Sequence, residues 1–97
     1  MALFILSLRY TAPIEVVDAL LPDHAAWLKA NHAEGRFLAW GRKVPRDGGI
    51  ILARGESREA VAALAATDPF VAGGAAEVEV IEWSPTFAGE GLEGLTP

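Results

Sequence analysis

His24 is the side chain of this 97-residue sequence best placed to do chemistry. An imidazole takes up and returns a proton near neutral pH, so it serves as acid or base without extreme tuning. Its surroundings, Leu21-Pro22-Asp23-His24-Ala25-Ala26-Trp27-Leu28, predict an amphipathic helix over residues 22–34. Pro22 suits a first helical turn, where its missing N–H has no partner to lose. Asp23 adds negative charge beside the positive end of the helix dipole. At roughly 100° per residue, Trp27, Leu28 and Asn31 fall within about 60° of His24, which therefore faces inward. A histidine there is either a hydrogen-bonded core residue or a proton-transfer group.

The other candidates rank below it. His32 stands about 80° around the helix from His24, a poor geometry for sharing a metal, and no third ligand has a suitable spacing. No metal site is expected. Ser7 lies in an apolar strand and lines a pocket or fills the strand, without the elbow of a serine nucleophile. Gly41 sits inside a strand, which suggests a bulge or the close approach of another group. The glycine pairs match neither a phosphate loop nor a dinucleotide fingerprint, so no cofactor is implied.

The elements that must hold these residues follow from periodicity and punctuation. Strands are predicted over 3–10, 36–42, 50–54 and 75–83. In the first, Phe4, Leu6 and Leu8 occupy one face and Leu3, Ile5 and Ser7 the other. In the second, Phe37 and Ala39 face one way and Leu38 and Trp40 the other. Residues 14–20 read as a loop with a short helical turn before the main helix, which Gly35 ends as a left-handed cap. Residues 42–46 form a solvated hairpin tip, and residues 45–49 a turn. Ser57 is a good N-cap for a helix over 58–66, and Asp68 caps a short turn starting at Pro69. Residues 1–84 form the domain and 85–97 a Pro- and Gly-rich tail, with Phe87 and Leu92 as docking points.

Strand, helix, strand, strand, helix, strand is the split arrangement of an α+β, ferredoxin-like antiparallel sheet with both helices on one face. The first and third strands are apolar on both sides, so the uncovered face predicts a homodimer packed sheet to sheet. A net charge of −5, with only eight Lys and Arg in the chain, argues against a nucleic-acid partner. No apolar run approaches the ~20 residues that cross a bilayer, so no membrane partner is expected. The absence of cysteine suits a reducing cytoplasm.

Four pieces in order resemble the YCII-related (YciI-like) family of the dimeric αβ-barrel group. They are Pro22, His24 and Leu28; His32, Glu34, Gly35 and Arg36; Gly41; and Ser57 and Ala60 leading to Asp68, Pro69, Phe70, Val71 and Gly73. The resemblance implies a subunit that dimerises through its sheet, with His24 and Asp68 as an acid/base dyad. It adds Ser7, Arg9, Gly41 and Gly73 as candidates to bind an unidentified small organic ligand. Relatives often carry an arginine three positions before the histidine, where this chain has Leu21, which leaves Arg9 or Arg42 to take an anionic group. The resulting expectation is a cytoplasmic homodimer performing cofactor-independent proton transfer of lyase or isomerase type. The alternative is a non-catalytic ligand-binding or assembly module in which the pair serves packing.

Overall fold

Strand β1 (Ala2–Tyr10) runs through the middle of the sheet because its alternation buries Phe4, Leu6 and Leu8 on one side. The computed structural model describes residues 2–95. After β1 come α1 (Ile14–Ala33), β2 (Phe37–Arg42), β3 (Gly48–Gly55), α2 (Arg58–Ala65), α3 (Pro69–Ala72) and β4 (Ala76–Trp83). A 3₁₀ turn, Glu93–Leu95, follows. The strands lie in the order β2-β3-β1-β4, and β1 pairs antiparallel with both neighbours. This is the ferredoxin-like sheet expected from the order of elements, with the helices on one face.

The core lies between that face and the helices. Phe4, Leu6 and Leu8 of β1 and Ile51 and Ala53 of β3 meet Val17 and Leu28 of α1, Val61 and Ala65 of α2, and Phe70 of α3. Such side chains contribute roughly 1.5 to 3 kcal/mol each on burial, so this layer supplies the main driving force for the fold. The opposite face is partly bare, with Ile50 and Ile81 each 38% exposed.

Two sequence expectations need correction. The first helix does not begin at Pro22: α1 is continuous from Ile14, and Pro22 lies inside it. Val17, Leu21, His24, Leu28 and Asn31 form one unbroken stripe at alternating spacings of four and three, so the apolar face extends two turns upstream. Pro22 removes one hydrogen bond to the Asp18 carbonyl, but it does so on the exposed side. At the other end the expected cap forms: Gly35 has φ 79°, its N–H donates to the His32 carbonyl at 2.9 Å, and the Arg36 N–H donates to that of Asn31 at 2.9 Å.

The second correction concerns the bulge. It falls between Phe37 and Ala39, leaving Leu38 as the extra residue, and not at Gly41. Phe37 and Ala39 therefore face opposite ways. Phe37 pairs with Ala53 and Trp40 with Ile51, both on the helix side, while Ala39 pairs with Leu52 on the bare side. This shift turns Trp40 and Arg42 toward the helices.

Gly48 sits where the β1–β3 pair closes, opposite Arg9. A Cβ there would collide with the Leu8 carbonyl oxygen. Gly48→Ala is expected to cost about 1 to 3 kcal/mol of stability, read as a lowered melting temperature; an unchanged melt would contradict this close approach.

The tail crosses back over the end of the sheet, where Arg54 donates to the Gly94 carbonyl at 2.7 Å. Within one chain Phe87 and Leu92 do not dock the tail: they are 83% and 55% exposed and would be free to meet a neighbour. The tail is held through its backbone because its Gly- and Pro-rich composition offers little side chain to bury.

Candidate active site

Asp68 and His24 meet although 44 residues separate them: His24 Nδ1 lies 2.7 Å from Asp68 Oδ1. The long first helix places the imidazole at mid-length on its inner stripe. The α2–α3 connection brings up the carboxylate, which is 1% exposed against 13% for the histidine side chain. Asp68 also does what a residue ahead of Pro69 should do, its Oδ1 accepting the Phe70 N–H at 2.9 Å as the N-cap of α3. The capping role and the pairing role reside on one oxygen. Asp68 Oδ2 is buried and has no hydrogen-bond partner.

A carboxylate only accepts hydrogen bonds, so the proton between the two groups resides on Nδ1. In the neutral ring that fixes the tautomer and leaves the Nε2 lone pair free. Nε2 has no protein partner among the described residues. Phe70 holds the ring plane, stacking on His24 with centroids 3.9 Å apart and 13° between planes. Tyr10 braces Phe70 edge-on at 5.9 Å, and Trp27 lies 6.0 Å from His24 on its other flank. The Trp27 indole N–H donates to Thr67 Oγ1 at 2.9 Å, tying α1 to the residue before Asp68.

His24 lines an open cavity of about 210 Å³ between α1 and the β2–β3 hairpin. Its walls are mostly apolar, from Leu8, Leu21, Leu28, Ile50, Ile51 and Phe70, with Tyr10, Trp40 and Arg42 as the remaining large side chains. Cavities of ~150 Å³ already hold a benzene ring, so this space fits one substituted ring. A larger cleft of about 630 Å³ under the tail, between Arg54, Arg58 and Trp83, contains no imidazole.

The remaining sequence candidates separate. Gly41 lines the cavity beside His24. Ser7 and Arg9 lie on the opposite face of the sheet, around a shallow depression with Lys43 and Glu77, so within one chain they do not share the cavity. Arg9 is instead paired with Glu77 at 2.6 Å. Gly73 is packed beneath Leu20 of α1, where a Cβ would come 2.8 Å from the Leu20 side chain; its role is close helix packing. Arg42 ends β2, as the sequence predicts; it is exposed, and it also lines the cavity. His32 points away and contacts the Phe37 carbonyl at 2.9 Å. Among the described residues no cluster of His, Cys, Asp and Glu could hold a metal, and no helix is long and apolar enough to cross a membrane.

Phe70 is the functional residue that sequence reasoning undervalued. Its amide fixes Asp68 and its ring fixes His24. The available signal was its place two residues after an Asp-Pro cap.

Comparison with known proteins identifies the family and the fold. The chain matches the YCII-related domain family over residues 1–84. Curated proteins give no sequence match. Among solved structures it is similar to a 5-chloro-2-hydroxyhydroquinone dehydrochlorinase from Burkholderia phenoliruptrix, solved in complex with 2,5-dihydroxybenzoquinone. The TM-score is 0.73 at 19% identity, covering 84% of this chain and 93% of that one. At that identity the likeness speaks for the fold.

Proposed function

We propose that this chain, which belongs to the YCII-related domain family, is an enzyme that moves protons on a small organic molecule without a cofactor, by lyase or isomerase chemistry. The observation that carries the reading is the 2.7 Å His24–Asp68 pair with a free Nε2 on an open cavity. In the forward step Nε2 takes a proton from an acidic carbon or hydroxyl of the substrate. The electron pair left behind either expels a leaving group from the neighbouring carbon or shifts and is reprotonated elsewhere by Nε2–H. Asp68 stabilises the imidazolium formed in between and holds its ring in place.

The dehydrochlorinase with the same fold, holding a one-ring dihydroxybenzoquinone, supports an elimination on a substrate of that size. A packing-only role for the pair fits less well, because that role gives no reason for an open cavity beside the imidazole. The test is turnover of hydroxylated one-ring compounds by the unaltered protein and by a His24→Ala variant. Equal rates would end the assignment.

The working unit in this reading is a cytoplasmic homodimer. Ile5, Ile50, Leu52 and Ile81 line the bare face of the sheet, and covering such side chains stabilises association by up to roughly 1.5 to 3 kcal/mol each. Light scattering should give twice the 10.3 kDa chain mass at micromolar concentration, and Ile81→Glu should halve it. A monomeric unaltered protein would refute the dimer.

A further inference from the structure

We infer that Arg42 anchors an anionic oxygen of the substrate, which makes this a site for small ionised organic molecules in preference to neutral ones. The inference rests on the proton-transfer reading above and names the substrate class that goes with it.

The chain has six arginines, and five have protein acceptors. Arg9 pairs with Glu77, Arg36 donates to Asn31, Arg46 to Asp18, Arg54 to the Gly94 carbonyl and Arg58 to that of Val80. The Asp18 hydrogen bond is also the main reason the Arg46 guanidinium holds its proton above the ordinary range. Arg42 alone makes no hydrogen bond or ion pair among the described residues. It is also the arginine that lines the His24 cavity.

The sheet register gives it a path inward. Arg42 stands directly opposite Gly49 on the helix side. With no side chain at Gly49, the aliphatic stem of Arg42 can lie across the strand and carry the guanidinium to the cavity mouth. The chain as a whole is acidic, at −5, so its general field repels an anion and a local cation must attract it. Arg42 is exposed at the cavity mouth, and an oxyanion that reaches it from the cavity gains a charge-assisted hydrogen bond. The arrangement also suits the chemistry. When Nε2 takes the substrate proton, the electron pair delocalises onto a conjugated oxygen, and that oxygen is the one Arg42 holds. Carboxylates, phenolates and enolates meet the requirement; neutral esters and amides do not.

Benzoate and benzamide, planar and similar in size but different in charge, separate the alternatives when titrated by calorimetry. The unaltered protein should bind benzoate on the order of tenfold more tightly than benzamide. Arg42→Gln should bring that ratio close to one without changing the melting temperature, because Arg42 contacts no protein acceptor, and Arg42→Lys should keep part of it. His24→Asn should leave the ratio in place. A ratio that survives Arg42→Gln overturns the inference, as does no preference in the unaltered protein or no binding of either probe. A ratio lost in His24→Asn alone also overturns it, by placing the charge on the imidazole. Neither probe reacts, so these outcomes are independent of whether His24 proves to be the base.

Discussion

His24→Gln should lower turnover on an accepted substrate by about 10²- to 10⁴-fold, the usual contribution of a positioned general base. The expected pattern is specific. Glutamine approximates the length of the side chain and keeps a polar end, but it cannot take a proton. Because the base acts in the transition state more than in binding, kcat should fall and KM should change little. The melting temperature should shift only modestly, since the imidazole is held by one hydrogen bond and a stacked ring. A variant with undiminished kcat would show that proton transfer occurs elsewhere.

Asp68 gives the second large effect, and two substitutions separate its two duties. In Asp68→Asn the shape survives and an amide oxygen can still cap Phe70. The negative charge that stabilises the imidazolium is gone, while the amide oxygen that caps Phe70 still faces Nδ1 and keeps the tautomer, and the NH₂ takes the buried Oδ2 position. We expect a fall in kcat of roughly 10²- to 10⁴-fold with a small change in melting temperature. Asp68→Ala removes the cap and so leaves the buried Phe70 N–H, and with it His24 Nδ1–H, without an acceptor, at about 1 to 3 kcal/mol each. That variant should lose both activity and several degrees of thermal stability. If Asn restores full activity and Ala only melts earlier, the pair is a structural clasp and the base assignment fails.

Much of this was legible before any coordinates. Strand alternation in residues 3–10, the Ser57 cap, with its side chain accepting the Ala60 N–H at 3.1 Å, and the left-handed Gly35 are local signals, and each formed as read. Pro22 misled because a proline is a strong stop signal. A continuous stripe of inward side chains from Val17 to Asn31 outweighs the loss of one solvent-side hydrogen bond. The bulge at Leu38 was invisible because nothing in Phe37-Leu38-Ala39 marks it; it arises from fitting β2 to β3 across the sheet. One inserted residue reverses the facing of everything after it in β2, so Trp40 and Arg42 stand on the helix side of the sheet. Arg9 and Arg42 could not be told apart in sequence because neither has a carboxylate at a spacing that marks it as paired. Only the register shows one facing the bare side of the sheet and the other facing His24.

The carboxylate oxygen that caps α3 is also the oxygen that grips the imidazole. A substitution that alters the turn at Phe70 therefore also alters the grip on the imidazole, and the reverse, so neither can be redesigned alone.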